Sequence, residues 1–354
     1  MHGESRSAAR MIAYTDPRFA EHAPLGFHPE RPERLASAER GLARARGSIA
    51  ESVDGVTRSA TREELERVHS PRHLDRLESV LLDRGAGFLD GDTYYGPHSR
   101  RAAWLAAGSG CAMVEALLRG EADVGVLLAR PPGHHATRDR AMGFCLLNNI
   151  AVAAAHARFL GARRVAVVDW DVHHGNGTQD IFYADPSVLF VSLHESPLYP
   201  DSGFTQELGE GDGRGTTVNI PLPAGSDGGA YALAFERVVL PVLHEWAPDL
   251  LLISAGFDAH ARDPLANMRL EEPDYRWMAA RLREVAAAHG AGRVGMFLEG
   301  GYDLGALERS VEAAALGLMS PYPRKHPRSS DEASTEAALY RVVAAQRPYW
   351  KHLR

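Results

Sequence analysis

The chain is nearly without lysine. Of its 39 basic residues only Lys325 and Lys351 are lysines, an arginine bias that reflects coding composition more than function. Cysteine is as scarce. Cys111 and Cys145 are too few for a disulfide framework, which points to a reducing, cytoplasmic setting. No apolar run is long enough to span a bilayer, and no signal-peptide-like segment stands near the start. A formal charge of −7 argues against non-specific nucleic-acid binding. There is no internal repeat and no Ser- or Pro-rich linker. The 354 residues are therefore expected to form one domain, residues 1–354, large enough to bury a sizeable core.

What is present is a set of apolar runs that end in chemistry. Val165–Val168 reads as a buried strand leading into Asp169, Asp171, His173 and His174 and then a glycine-rich turn. Residues two apart on an extended backbone share a face, so Asp169, Asp171 and His173 are expected to point together. Carboxylates gathered beside an apolar strand are costly to bury unpaired, and a cation relieves that cost. A mixed imidazole and carboxylate set suits zinc or another transition divalent ion. Leu250–Ala255 repeats the plan and ends in Gly256 and Asp258, a candidate third ligand. Val124–Ala129 runs into Pro131-Pro132-Gly133 and the pair His134-His135. Val294–Leu298 is followed by Glu299-Gly300-Gly301-Tyr302.

Alternation of such strands with helical stretches (Trp104–Leu118, Asn149–Leu160, Tyr231–Glu245, Asp274–Ala288) predicts an α/β fold with a parallel sheet and helices on both faces. Ligands then bind beyond the carboxyl ends of the strands, where the loaded segments end. Pro321–Arg354 reads as a C-terminal extension: a polar loop, then a helix over Glu332–Ala345 packing on the domain.

Taken in order, Arg130-Pro-Pro-Gly-His-His-Ala136, Gly143-Phe-Cys-Leu-Leu-Asn-Asn149, Asp169-Trp-Asp-Val-His-His-Gly-Asn-Gly-Thr-Gln-Asp180, Ser192-Leu-His194, Ser254-Ala-Gly-Phe-Asp258 and Leu298-Glu-Gly-Gly-Tyr302 resemble the zinc-dependent histone deacetylase superfamily. The likeness runs from about His28-Pro-Glu-Arg-Pro-Glu-Arg34 to Arg347-Pro-Tyr-Trp350. Asn176, where class I members usually carry Asp, resembles the class II branch, which includes bacterial histone-deacetylase-like amidohydrolases. The resemblance implies a three-layer arginase-deacetylase fold around an eight-stranded parallel sheet.

It also implies roles. Asp171, His173 and Asp258 would hold one zinc ion. His135, oriented by Asn176, would be general base and acid. His134, backed by Asp169, would be its electrostatic partner, and Tyr302 would donate to the oxyanion. Phe144 and Tyr199 would wall a channel for the lysine stem. Gly143 would accept from the substrate amide, Asp92 would grip the substrate backbone, and Gly301 and Leu265 would border the site. Asp169, Asp171, Ser192 and the carbonyls of His173 and Leu193 would hold a structural potassium ion, with a second near Phe182 and Asp185. His194 reads as structural. Arg34 reads by default as a surface salt bridge, or else as lining a product channel.

The implied substrate is an acyl-lysine peptide or protein, or a small N-acyl amine. Leu265 in the gatekeeper position and the charge of Arg262 favour these over polyamines. Asp90, Asp92, Glu207 and Glu210 keep an acetylpolyamine amidohydrolase in play. A catalytically weak metal-binding protein of the same fold, and a binuclear manganese hydrolase of the arginase type, fit the intact ligand, His-pair and Tyr set less well. Homo-oligomerisation and the natural substrate are left open.

Overall fold

The computed structural model of the chain describes residues 9–83, 85–326 and 333–353. Residues 327–331 of the polar loop expected after Pro321, together with Glu332 and Arg354, lie outside these. Among the described residues there are ten strands: β1 (Arg10–Tyr14), β2 (Glu51–Asp54), β3 (Gly87–Phe88), β4 (Tyr94–Tyr95), β5 (Val124–Leu127), β6 (Val165–Asp169), β7 (Val188–Glu195), β8 (Thr217–Leu222), β9 (Leu250–Ala255) and β10 (Val294–Leu298). Eight form one sheet in the order β2-β1-β5-β10-β9-β6-β7-β8, every pair parallel. β3 and β4 form a separate antiparallel hairpin.

The five central strands β5, β10, β9, β6 and β7 are buried along their whole length. That is why their sequences are dominated by apolar residues: a parallel sheet covered on both faces has no solvent side to alternate toward. One helical layer pairs Ser99–Leu118 with Asn149–Phe159. The other packs Glu33–Arg46 and Glu272–His289 around Leu304–Met319. Among the described residues no helix is long and apolar enough to cross a membrane.

One expectation changes. The helix expected over Tyr231–Glu245 is three segments, Gly228–Ala234, a π-helical turn Phe235–Val239, and Leu240–Trp246. Pro241 in its path has no N–H to donate, and a widened turn accommodates the missing bond. The C-terminal helix Ala333–Gln346 packs on β8, and Trp350 Nε1 donates to Gly215 O at 3.1 Å.

The topology sets up the site. The loaded segments, up to 170 residues apart in the chain, leave β5, β10, β9, β6 and β7, which are successive neighbours in the sheet. Parallel strands share one carboxyl edge, so these segments converge there.

Candidate active site

Strand alternation carries only as far as Asp169, because β6 ends there. Beyond it, turn chemistry takes over. Asp169 Oδ1 accepts Asp171 N at 3.0 Å, and Asp171 Oδ1 accepts His173 N at 2.9 Å. Each Asp holds the amide two residues on, as Asp side chains do in turns. This brings Asp171 and His173 together while Asp169 turns to the His pair, its Oδ2 lying 2.9 Å from His134 Nδ1. The face expected to hold three ligand-type residues is thus divided between two tasks.

Asp258 enters from β9. Its Oδ1 accepts Val172 N at 2.9 Å, and its Oδ2 lies 3.2 Å from His173 Nδ1. Ligand atoms of Asp171, His173 and Asp258 all fall within 4.8 Å of one another, and all three residues are nearly fully withdrawn from solvent. Burial opposes charge on His173, but hydrogen bonds and charge from Asp171 and Asp258 outweigh it and carry the imidazole up to about 10. Burial and the Asp171 charge push the Asp258 carboxyl up. This cluster demands positive charge. Gly256 and Gly300 leave it room: a Cβ at either would overlap the Asp171 carboxylate, and one at Gly300 would also overlap that of Asp258.

The two histidines differ in kind. His134 is opposed by burial, yet Asp169 and Asp171 push it up to about 10. His135 is held well below its usual value by burial and by the charges of His134 and His173. Its Nδ1 donates to Asn176 Oδ1 at 2.7 Å, which leaves Nε2 with its lone pair. Tyr302, from the loop after β10, has its phenol pushed well above 10 by burial, so it stays a donor. Asp263 Oδ2 accepts its backbone N–H at 2.6 Å.

These groups bound a cavity of about 230 Å3, lined among others by His135, Phe144, Tyr199, Leu265 and Tyr302, with Asp92 at its border. Gly143 and Phe144 are both left-handed, with φ of 57° and 68°. That conformation is strained for Phe144 and is held by its N–H donating to Thr93 Oγ1 at 3.1 Å. At Gly143 a side chain would run into the His135 ring. Gly301 (φ 115°) presents its carbonyl to Arg34 Nε at 2.6 Å. Of the residues expected to hold potassium, Asp169 stands in register with Ser192 across β6 and β7, and its Oδ1 accepts Asp171 N. Ser192 Oγ also lies 2.9 Å from His194 Nδ1, and His194 Nε2 donates to Gly203 O at 3.0 Å. Asp185 holds the turn to Ser187.

Three expectations at the rim are corrected. Arg34 is buried, not at the surface: it bonds Gly301 O, Glu299 O and Glu30 Oε1. Arg262 is neutralised by Asp303 at 3.1 Å. Glu207 turns inward to Gln179 Nε2 and Gly203 N and, like Glu210, does not line the cavity.

Sequence reasoning passed over three carboxylates. Glu299 Oε2 accepts Gly133 N at 2.6 Å and His134 N at 3.2 Å, so the Glu-Gly-Gly-Tyr turn props the His pair. Burial pushes it up to about 7. Glu30 joins Arg34 and Arg130 beneath the site. Asp263 fixes Tyr302 and Leu265. Their only signal was an acidic residue inside an otherwise recognisable motif. Glu299→Ala is expected to cost about 1–3 kcal/mol for each buried donor left unpaired, read by chemical denaturation. Glu299→Gln, which keeps an acceptor, should cost clearly less. Equal losses would show that the carboxylate does not hold this turn.

A second group with metal-ligand residue types, Glu64, Cys111 and His156, lies between helices. Its carboxylate and imidazole are already engaged. Arg58 takes both Glu64 oxygens, and the His156 nitrogens face Arg67 and Glu115. It closes as an ion-pair network.

Residues 28–318 match the histone deacetylase domain. The histone deacetylase-like amidohydrolase of Pseudomonas aeruginosa is 44% identical over 291 residues, covering 79% of this chain and 76% of that protein. The human polyamine deacetylase HDAC10 is 40% identical over 342 residues, covering 92% of this chain and 50% of its own length. The crystal structure of the HDA15 HD domain superposes with a TM-score of 0.91 at 35% identity, covering 98% of this chain and 96% of that one.

Proposed function

The chain belongs to the histone deacetylase family, and on that premise we propose that it is a zinc-dependent amidohydrolase of acyl-lysine, in peptides or proteins, or of a related small N-acyl amine. The observation that carries this is the convergence of three groups on one cavity: the Asp171/His173/Asp258 cluster, an unprotonated His135 and a protonated Tyr302.

The donor set fits a zinc ion. Two carboxylates and one imidazole are ligands this ion accepts, three protein ligands suit a catalytic position, and the buried Asp258 Oδ2 faces only the His173 imidazole, itself a ligand of the set. When bound, zinc supplies Lewis acidity, which polarises the amide carbonyl and acidifies a water. The chain's residues do the rest. His135 Nε2 takes the proton of the attacking water, while Asn176 holds the tautomer that keeps this lone pair available. His134, paired with Asp169, places positive charge beside the developing negative charge. His135 then protonates the departing amine. Tyr302 Oη donates to the oxyanion. Phe144 and Tyr199 exclude water from the stem, Gly143 O accepts the substrate N–H, and Asp92 holds the substrate backbone at the mouth. Asp169, Asp171, Ser192 and the carbonyls of His173 and Leu193 would hold a structural potassium ion.

The likeness to a relative named as a polyamine deacetylase favours acetylpolyamines as a second reading. Leu265 speaks against it, since an apolar rim desolvates an ammonium without compensating it. The test is kcat/KM of the zinc-loaded enzyme across acetyl-lysine peptides, longer acyl-lysines and acetylpolyamines. Acetyl-lysine peptides should exceed acetylspermidine and acetylputrescine, and the reverse order overturns the substrate assignment. Leu265→Glu should raise polyamine turnover relative to peptide turnover, with the gain weakening in high salt. An unchanged ratio would move the determinant to Asp92.

A further inference from the structure

Beside the acyl cavity lies a second recess, of about 430 Å3. Its walls are the helix Pro71–Asp83, the β3–β4 hairpin and the loop 137–144. Its depth is apolar, with Leu77, Tyr95 and Ala141 buried, and Phe88 stands 59% exposed at its edge.

Its charges are unevenly satisfied. The Asp90 carboxylate is taken up by the backbone N–H groups of Asp92 and Thr93, at 3.1 and 2.7 Å, and Asp139 holds Ser70 Oγ. Arg76 and Arg140 make no ion pair or side-chain hydrogen bond among the described residues. His73 is 7% exposed, and its Nε2 is buried without a partner. Two uncommitted guanidinium groups, which match oxyanions with paired donors, stand with an unpartnered imidazole nitrogen over an apolar floor. This is the chemistry that receives an oxyanion on an apolar body.

Position ties the recess to the reaction. The hairpin gives Asp92 to the acyl cavity and Asp90 to the recess. The loop 137–144 gives Gly143 and Phe144 to the cavity, Arg140 and Ala141 to the recess. The same hairpin and the same loop therefore line both hollows.

We propose that this recess is a substrate subsite that takes a carboxylate or phosphate borne on the same molecule as the acyl amide. The inference rests on the deacetylase reading and narrows its substrate class to acyl amines with an anionic neighbour.

The test compares acetyl-lysine peptides carrying Glu or Gln beside the lysine, for the unmodified zinc-loaded enzyme and for Arg76→Gln/Arg140→Gln. The unmodified enzyme should prefer the Glu peptide by about five- to tenfold in kcat/KM, the size expected of charge-assisted contacts to exposed arginines. The preference should shrink in about 0.5 M salt, where such contacts are screened. In the double variant it should vanish, with the Gln peptide within about twofold of its original rate. Equal rates for the two peptides in the unmodified enzyme, or a preference that survives in the variant, overturns the subsite. Calorimetric titration with inorganic phosphate is the second arm. Phosphate binding that needs both arginines, without a Glu preference, assigns the recess to a free anion instead. Should neither peptide be turned over, the deacetylase reading itself has failed. The titration then decides the recess alone: arginine-dependent binding supports the anion site, and its absence removes it.

Discussion

Asp258→Ala should lose bound metal and deacetylase activity together. Asp258 is the only member of the Asp171/His173/Asp258 cluster that comes from β9, so removing it opens one side of the set. The remaining Asp171 and His173 bring one negative charge and one imidazole. Loss of a partner that merely orients a ligand typically costs about 10–100-fold in metal affinity, and loss of a ligand should exceed that. A folding defect is a competing outcome, because the substitution also strips the acceptor from the buried Val172 N–H. Asp258→Asn separates the two. Its amide oxygen can still accept from Val172, while the charge and the anionic ligand are gone. Both variants should show low zinc by elemental analysis and no turnover, and Asp258→Asn should keep near-native circular dichroism and thermal midpoint. Full activity with native metal content in either would sink the assignment.

The five central strands were legible for one physical reason. Each is buried on both faces, so each is largely apolar, and each runs into polar, glycine or proline residues that cannot continue it. The strands passed over are less regular. β1 opens on an exposed Arg10, and the edge strand β2 is polar and half exposed. β8 carries Pro221, which an edge strand tolerates because it needs fewer ladder donors. At the site, residue types were readable but the division of labour was not. Asp169, Asp171, Asp258, Asp263 and Glu299 are all acids near strand ends. Which ones face a cation and which hold backbone amides depends on partners far away in the chain. Glu299 and Gly133 are 166 residues apart. Arg34 misled for the same reason: its carbonyl partners, Gly301 and Glu299, lie 267 and 265 residues away, and no local pattern reveals them.

Tyr302→Phe should lower kcat by about 10²–10³ with KM, metal content and stability close to unchanged. The structure makes this a clean deletion. The backbone N–H of Tyr302 stays on Asp263, the ring keeps its edge contact with Phe144 at 5.9 Å, and the Arg34 guanidinium remains 4.8 Å from the ring centre. All of these survive in phenylalanine. The hydroxyl itself is bonded to no other group among the described residues and belongs to the wall of the acyl cavity, so its loss orphans nothing in the fold. With its pKa pushed well above 10 by burial, the phenol keeps its proton across the working pH range. On the proposed mechanism its one contribution is a hydrogen bond that strengthens as negative charge grows on the carbonyl oxygen. Such a bond is worth about 2.7–4 kcal/mol in the transition state and little in the ground state. The split between kcat and KM is therefore the decisive readout. A loss confined to KM would make Tyr302 a substrate-binding residue and leave oxyanion stabilisation to His134 and the metal. A fall in thermal midpoint with kcat intact would make it a packing residue.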